Sequence, residues 1–210
     1  MVVMEELINK VQNLKKTNIN NVVKQRIYEF KSIDKESNDE LFKEMCFCLL
    51  TANYNAEKSI KIQKEIGDCF ITDNQDILCS KLKDYGHRFP NARAGYICGS
   101  IKFKEELKKI VKFHDKKAIR DWFVDNIKGL GYKEASHFLR NIGFDDYAII
   151  DFHIVDILVD NKIIKKPKTL TKEKYIEIEN TLKNIAKKTD LTLAELDLYL
   201  WYMETGKVLK

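Results

Sequence analysis

Two side chains in this sequence could act together in nucleophilic chemistry, the amine of Lys133 and the carboxylate of Asp151. Lys133 lies one residue into a predicted helix that follows a glycine-containing turn, and a lysine amine in its neutral form is a nucleophile. Asp151 precedes another predicted helix, where an ionised carboxylate can stabilise a developing cation or accept a proton. The pair predicts covalent catalysis by an amine. The alternatives are a plain surface lysine and a carboxylate that only caps its helix.

The turn before Lys133 is KGLG at residues 128–131, and it joins an aromatic, apolar helix to a second helix that starts at about Tyr132. Paired glycines allow a tight hairpin and a close approach of backbone to a ligand. The second helix would present free backbone N–H groups and a positive dipole end to a phosphate. An ordinary turn between helices is the alternative. The candidate binding residues in this helix-hairpin-helix are Lys128, Gly129, Gly131 and Tyr132.

The second helix of the hairpin has two chemically different faces when its residues are placed ~100° apart. The apolar face consists of Ala135, Phe138, Leu139 and Ile142. The opposite face consists of Lys133, His137 and Arg140. We expect the apolar face to pack in a core and the other face to meet the ligand. For His137, a helix-surface position without a role in the site is the alternative.

The elements that must position these residues are almost all helices, because apolar residues recur at intervals of three and four along most of the chain. The one strand-like run is residues 148–150. The sequence therefore predicts an all-α protein of two helical lobes, one of residues 36–143 and one of residues 1–35 with 144–210. The predicted helices are 4–14, 22–30, 38–50, 56–66, 77–85, 92–103, 105–113, 118–126, 132–142, 152–159, 172–187 and 193–205.

The charge of this 210-residue chain is concentrated, although its formal net charge is only +5. Residues 81–104 contain six basic side chains and one acid, and residues 161–190 contain nine lysines and four acids. Such asymmetry indicates a polyanionic partner, with a solvated helix face as the favoured alternative for the second block. The few arginines are more specific choices than the many lysines, since a guanidinium matches phosphates and base edges. They are Arg26, Arg88, Arg93, Arg120 and Arg140.

Composition also indicates where the protein works and what it lacks. Charges interrupt every apolar run well before the ~18 residues of a membrane span, and the first residues do not resemble a signal peptide. Five cysteines without CxxC spacing favour a reducing compartment, so we expect a cytoplasmic, nucleoid-associated protein. His153 has no second histidine or cysteine at ligand spacing, and we interpret it as structural rather than metal-binding.

Five motifs taken together resemble one known family. They are LTAN at 50–53, GHRF at 86–89, GYKEASHFLRN at 131–141, IIDFH at 149–153 and YLWYMETGKVLK at 199–210. A lysine behind a glycine hairpin and a downstream aspartate resemble the helix-hairpin-helix DNA glycosylase superfamily. The full set, which spans nearly the whole chain, is similar to the archaeal-type 8-oxoguanine DNA glycosylase/AP lyases, the short second class. The combination is specific, whereas each motif alone is weak.

The resemblance implies a base-excision repair enzyme whose partner is double-stranded DNA containing 8-oxoguanine, without a membrane or an obligate protein partner. The damaged nucleotide would be flipped into a DNA-binding cleft between the two lobes. Lys133 would attack C1′ and Asp151 would assist, so that a Schiff base and β-elimination follow. Asn53 would enter the vacated space, while Arg88 and Phe89 would meet the base left without a partner. A packed loop anchor is the alternative for Phe89.

The resemblance also implies how the base is recognised and which cofactors take part. The C-terminal Lys210 would contact the flipped base and Trp201 would cover it, with a frayed terminus as the alternative for Lys210. No cofactor is required, although the hairpin carbonyls could hold a structural monovalent cation as in relatives. Cysteines are absent after Cys98, so the four-cysteine iron–sulfur loop of some relatives is missing. Residue 128 is lysine where many members of the superfamily have proline.

Two other functions stay open at the level of sequence. A non-catalytic helix-hairpin-helix protein would only hold the DNA backbone, and the coexistence of Lys133 and Asp151 argues against it. A related bifunctional glycosylase with another lesion preference would retain the same lysine chemistry. Activity on a panel of damaged bases would distinguish the three.

Overall fold

The computed structural model describes residues 2–33, 37–113 and 115–210, and these residues form α-helices, a 3-10 segment and connecting turns without any strand. The all-α prediction is therefore confirmed. The 3-10 segment is Ile101–Glu106. The α-helices are α1 (Val2–Lys15), α2 (Ile19–Ile33), α3 (Asn38–Thr51), α4 (Ala56–Ile66), α5 (Cys69–Thr72), α6 (Gln75–Asp84), α7 (Pro90–Ser100), α8 (Leu107–Phe113), α9 (Lys116–Asn126), α10 (Tyr132–Asn141), α11 (Phe152–Asp160), α12 (Lys172–Thr189) and α13 (Leu193–Thr205).

The helices belong to two compact units. The terminal unit combines Met1–Lys31 with Gly143–Lys210, and the central unit is the continuous stretch Ser32–Ile142. The two lobes predicted from the sequence, with their boundaries at residues 36 and 143, stay a prediction.

The central unit is built around α3, which is apolar on every side because the run from Leu41 to Leu50 contains few polar residues. This helix contacts α4, α5, α7, α8, α10 and the 3-10 segment. Its single buried carboxylate, Glu44, accepts hydrogen bonds from Gln63 Nε2 at 3.1 Å and from Asn141 Nδ2 at 2.6 Å. A buried carboxylate needs such partners, and these two tie α4 and α10 to the core helix.

The terminal unit packs α1, α11 and α12 around α13. Tyr175 of α12 and Tyr199 of α13 are its largest buried side chains, each only 1% exposed. The hydroxyl of Tyr199 donates to Asn20 Oδ1 at 3.0 Å, so the last helix is fixed to α2 near the start of the chain. No helix within the described residues is both long and apolar enough to cross a membrane.

The strand predicted at residues 148–150 is wrong. The segment is extended, but the hydroxyl of Tyr175 donates to the Ala148 carbonyl at 2.7 Å and accepts the N–H of Ile150 at 3.1 Å. The N–H of Ala148 donates to Glu179 Oε2 at 3.1 Å. Buried backbone groups need partners, and here two side chains of α12 supply what a neighbouring strand would.

Candidate active site

The hairpin before Lys133 adopts a conformation that only glycine accommodates. Gly129 has φ +99°, and a Cβ atom there would lie 2.4 Å from the ring of Tyr96. The N–H of Leu130 donates to the Ile127 carbonyl at 3.1 Å and closes the turn between α9 and α10. The predicted tight hairpin is confirmed, and its glycine is needed both for the backbone angle and for the contact with Tyr96. The ammonium of Lys128 lies 5.8 Å from the centre of the same ring.

Lys133 is the second residue of α10, and its side chain is 23% exposed. Its Nζ lies 3.9 Å from Glu134 Oε1. The other oxygen of Glu134, Oε2, accepts the N–H of Gly131 at 3.2 Å. The helix start was expected to present free N–H groups to a phosphate, but a carboxylate of the chain already satisfies that of Gly131. The amine therefore has a carboxylate beside it that the sequence analysis did not consider.

Tyr132 and its neighbours fix the start of α10 to α9. The hydroxyl of Tyr132 donates to Asp121 Oδ1, and the Arg120 guanidinium lies 5.0 Å from the centre of the tyrosine ring. Arg120 is itself buried and donates to Ser136 Oγ at 3.2 Å. These contacts hold the residue that precedes Lys133 in place.

The helix face that was expected to meet a ligand is only partly exposed. His137 is 6% exposed and Arg140 is 3% exposed, so both are buried, unlike Lys133. The ring of His137 packs edge-on against Phe47 at 5.5 Å, and Arg140 donates to Asn141 Oδ1 at 2.8 Å. The prediction that this whole face of α10 is open to a ligand is therefore corrected. The long side chains of His137 and Arg140 contact neighbouring residues within the protein. DNA binding by these two residues stays a prediction.

Asn53, Arg88 and Phe89 lie on two loops of the central unit. Asn53 follows α3 with φ +55° and is exposed, while Arg88 is exposed and Phe89 is partly buried just before α7. The Phe89 ring lies 4.9 Å from the guanidinium of Arg88 and 5.5 Å from that of Arg93. The Phe89 ring thus packs against neighbouring side chains and is still partly exposed, which is compatible with either a wedge between bases or a loop anchor.

Asp151 is the N-cap of α11, as predicted, and accepts the N–H of Ile154 at 3.0 Å through Oδ1. It is partly exposed. A side-chain cap satisfies one free donor of the helix start, and the positive end of the helix favours the ionised carboxylate. Asp151 belongs to the terminal unit, together with Trp201 and Lys210.

Aromatic rings continue from Asp151 toward the last helix. Phe152 is 68% exposed and lies 3.9 Å from the ring of His153, which meets Trp201 edge-on at 5.3 Å. His153 Nδ1 lies 3.5 Å from Glu204 Oε1. Within the part of the chain that the structure describes, the buried Nε1 of Trp201 has no hydrogen-bond partner. The contacts agree with the structural interpretation of His153.

The C-terminal residues are partly buried from Val208 to Lys210. Gly206 ends α13 with φ +70°, and its N–H donates to the Tyr202 carbonyl at 2.8 Å. Trp201 itself lies on the last turns of that helix and is partly buried. Only a short segment thus separates Lys210 from Trp201, the residue predicted to cover the flipped base.

Much of the basic block at residues 81–104 is neutralised internally. Lys81 pairs with Asp73 at 2.8 Å and Lys104 pairs with Asp39 at 2.5 Å. Arg93 is buried, and burial lowers the pKa of its guanidinium. The remaining basic residues of the block are exposed, and they are Lys83, Arg88 and Lys102.

The five cysteines are free thiols, and burial raises the pKa of Cys46 and Cys98. No group of three or more histidine, cysteine or acidic side chains that could hold a metal occurs among the residues described. The hairpin carbonyls are oxygen ligands of the kind that hard cations take. That a monovalent cation binds there stays a prediction.

A lysine directly behind a glycine hairpin, in an all-helical chain, is the arrangement expected of helix-hairpin-helix DNA glycosylases. The family model described as 8-oxoguanine DNA glycosylase matches residues 23–191. The chain belongs to this family. The resemblance found in the sequence motifs is therefore confirmed.

Individual relatives match over nearly their whole length. An 8-oxoguanine DNA glycosylase/AP lyase of Methanocaldococcus jannaschii is 53% identical over 205 residues, which are 97% of this chain and 99% of that protein. A Korarchaeum cryptofilum protein of the same name is 46% identical over 209 residues, 99% of each chain.

Solved structures are equally similar. The M. jannaschii 8-oxoguanine glycosylase/lyase, in complex with a 15mer DNA containing 8-oxoguanine, has a TM-score of 0.95 at 52% identity and covers 98% of this chain and 100% of that one. The 8-oxoguanine DNA glycosylase of Thermotoga maritima has a TM-score of 0.93 at 40% identity, with 99% and 100% covered.

Three residues that support the helices and loops of the candidate site were not predicted as site residues from the sequence, namely Glu44, His87 and Arg93. Glu44 ties α10 to α3, and Arg93 Nη2 donates to the Ala52 carbonyl at 2.6 Å. Arg93 carried a signal, since it is one of few arginines in a lysine-rich chain. His87 lies inside the GHRF motif, but only its neighbours were selected.

Proposed function

We propose that this protein is a bifunctional DNA glycosylase/AP lyase that removes 8-oxoguanine from duplex DNA and cleaves the strand at the resulting site. The observation that carries the proposal is the partly exposed amine of Lys133 at the start of α10, directly behind the glycine hairpin, in a chain of this family. A neutral amine there can attack a sugar carbon and remain covalently attached.

Excision begins with extrusion of the damaged nucleotide, because its C1′ atom is inaccessible within the base stack. Asn53 and Arg88 are exposed on their loops and can hydrogen-bond base edges, and the Phe89 ring can stack or wedge. Unstacking costs a few kcal/mol, which these contacts would offset. Lys128, Gly129, Gly131 and Tyr132 would hold the DNA backbone at the hairpin, and DNA binding by His137 and Arg140 would require these buried side chains to become accessible.

The chemistry then proceeds through Lys133 and Asp151. Lys133 Nζ forms a bond to C1′ as the C1′–N9 bond breaks, and the base leaves with the bonding electron pair and takes up a proton. Asp151 stabilises the positive charge that develops on the sugar. Opening of the sugar ring gives a Schiff base to Lys133, loss of a C2′ proton breaks the C3′–O3′ bond, and the strand is cut. These steps require no cofactor.

8-Oxoguanine differs from guanine in the hydrogen that it carries on N7 and in the oxygen on C8, and selectivity needs an acceptor that faces N7. An acceptor facing N7 is left unpaired against guanine, which disfavours the normal base by ~1–3 kcal/mol. The carboxylate of Lys210 can be that acceptor, and Trp201 can cover the flipped base. Extending the chain beyond Lys210 should lower the selectivity for 8-oxoguanine over guanine, and unchanged selectivity would remove this role.

The place of action that we propose is the cytoplasm, in association with the nucleoid. Five free thiols without CxxC spacing support a reducing compartment.

Borohydride trapping tests the function directly. Borohydride reduces a Schiff base to a stable amine, so the wild-type protein should form a covalent complex with 8-oxoguanine duplex. Lys133→Gln should form none and lose at least ~10³-fold in excision. Lys187→Gln, which changes an exposed lysine of α12, is the matched control and should trap like wild type.

Other outcomes identify the alternative functions. DNA binding without trapping on any lesion would indicate a non-catalytic DNA-binding protein. Trapping only with a different damaged base would indicate another lesion preference. Trapping by Lys133→Gln would exclude Lys133 as the nucleophile.

A further inference from the structure

His87 lies on the loop that carries Arg88 and Phe89, and its side chain reaches the last turn of α3, just before the loop that carries Asn53. It is 4% exposed, its Nε2 is 3.1 Å from the Leu50 carbonyl, and its Nδ1 accepts the N–H of Phe89 at 3.1 Å. A carbonyl oxygen can only accept, so Nε2 carries the hydrogen and Nδ1 has none. The ring is therefore a neutral tautomer, and it joins the last turn of α3 to the backbone of Phe89.

Two further contacts join the same loops. The hydroxyl of Tyr54 donates to the Gly86 carbonyl at 2.9 Å, and the Tyr54 ring lies 4.2 Å from the ring of His87. Arg93 donates to the Ala52 carbonyl at 2.6 Å while its guanidinium lies 5.5 Å from the centre of the Phe89 ring. The segment around Asn53 is thus bound to Gly86 on the loop of His87 and to Arg93 of α7.

These contacts bracket the candidate DNA-contacting residues. Asn53 has φ +55°, a left-handed conformation that asparagine adopts more readily than other residues with a Cβ. The carbonyls held by His87 and Arg93 belong to Leu50, three residues before Asn53, and to Ala52, directly before it. Phe89, whose N–H is held by His87, follows Arg88 directly.

We propose that His87 is a positioning residue for base extrusion, which keeps Asn53 on one loop in register with Arg88 and Phe89 on the other so that all three enter the duplex together. This inference rests on the proposed function. His87 touches neither DNA nor the reacting atoms. Its bond to the Leu50 carbonyl fixes the spacing between the two segments, and its bond from the Phe89 N–H fixes the turn that carries Arg88 and Phe89. Loss of this arrangement should slow extrusion rather than the lysine chemistry that follows it.

Single-turnover kinetics on two substrates separate extrusion from chemistry. One substrate is duplex with 8-oxoguanine, next to a 2-aminopurine whose fluorescence reports unstacking, and the other has a preformed abasic site. His87→Leu removes both hydrogen bonds. It should lower the rate of 8-oxoguanine excision and the rate of the 2-aminopurine fluorescence change by about 10-fold each. Cleavage at the abasic site, where no base must be extruded, should change less than ~3-fold.

Graded variants keep the test decisive if His87→Leu does not fold. His87→Gln retains a donor near Nε2 and His87→Asn retains an acceptor near Nδ1, so each should fall between wild type and His87→Leu. Tyr54→Phe removes the second tie and should act in the same direction. Ser100→Ala, which loses one buried hydrogen bond to the Ile97 carbonyl in α7, is the matched control and should excise normally.

Three results would overturn the inference. Excision by the His87 variants at the wild-type rate would do so, as would equal losses on both substrates, which would indicate a general structural role. A loss in excision with an unchanged 2-aminopurine signal would also exclude a role in unstacking. Inactivity of the wild-type protein on 8-oxoguanine would instead reject the proposed function itself.

Discussion

Asp151 caps α11 with the same carboxylate that we propose for a chemical task. As the N-cap of α11 it accepts the N–H of Ile154, and as a candidate catalytic group it supplies negative charge to the sugar. Substitution by alanine would remove both and would not separate them. Asparagine caps helices about as well as aspartate but carries no charge, so it distinguishes the two tasks.

Asp151→Asn should retain the fold and lose activity. We expect the free energy of unfolding to change by less than ~0.5 kcal/mol, because the cap remains. Excision of 8-oxoguanine should fall by about 10²–10³-fold, as when one preorganised electrostatic group is removed from a site. Urea unfolding and single-turnover excision measure the two effects. Retention of the wild-type rate would leave Asp151 with its capping role alone.

The residues that sequence identified are those with local signals. Lys133 and Asp151 stand beside helix starts, and glycine spacing or a following apolar stripe marks such starts without knowledge of the fold. Contacts between distant positions have no such signal: His87 meets Leu50 across 37 residues, and Glu44 meets Asn141 across 97. The buried state of His137 and Arg140 was missed for the same reason.

The hairpin is an element whose geometry restricts its sequence. Gly129→Ala should destabilise the protein by more than Gly86→Ala, its matched control. Both glycines have positive φ, but a Cβ at Gly129 meets the Tyr96 ring at 2.4 Å, whereas nothing lies within 4 Å of one at Gly86. We expect about 1–2 kcal/mol for Gly86→Ala and at least ~1 kcal/mol more for Gly129→Ala, measured by urea unfolding. Equal costs would mean that Tyr96 moves aside freely.

The loop pair joined by His87 should weaken in acid. Burial lowers the pKa of His87 from 6.5, positive Arg93 acts in the same direction, and the bond to the Leu50 carbonyl opposes them. Unfolded His87 therefore takes up a proton at higher pH than folded His87 does. Its neutral form supports the fold fully above about pH 6.5, and this support declines as the pH falls toward the lowered pKa.

Urea unfolding at pH 7.5 and pH 5.5 checks this expectation. Wild type should lose more stability between the two pH values than His87→Gln, whose side chain does not titrate. Arg93 from α7 and Tyr54 from the neighbouring loop face the ring, and both keep their ordinary charge over this range. Equal losses in the two proteins would assign the acid sensitivity to other groups.

Helices were easier to predict than the connections between them. The bounds of α4 and α13 agree with the predicted segments, because apolar periodicity and capping residues such as Asn55 and Thr192 are local. The four-residue helix α5 is too short to display a period and was not predicted. The run at 148–150 looked like a strand because its β-branched residues favour extended backbone, whatever supplies the hydrogen bonds.

At the scale of the whole molecule, the positive charge available to a polyanion is smaller than composition suggests, since Lys81 and Lys104 are engaged in ion pairs. Lys128→Gln should therefore reduce the slope of log affinity against log salt by about 0.9, the value for one phosphate contact. Lys104→Gln makes the same change in net charge and should leave the slope unaltered. Fluorescence anisotropy at several salt concentrations measures both, and equal slopes would place Lys128 away from phosphate.

The discontinuous terminal unit determines the order in which the chain can mature during translation. The central unit, Ser32–Ile142, is continuous and can collapse on the ribosome. In contrast, α1 packs against α12 and α13, so Leu7 and Val11, both fully buried in the finished protein, lack their cover until the end of synthesis. At ~5–20 residues per second, the first helix waits on the order of ten to forty seconds. A nascent chain stalled after the central unit would thus expose the apolar face of its N-terminal helix. We expect chaperones to bind the nascent chain at this helix.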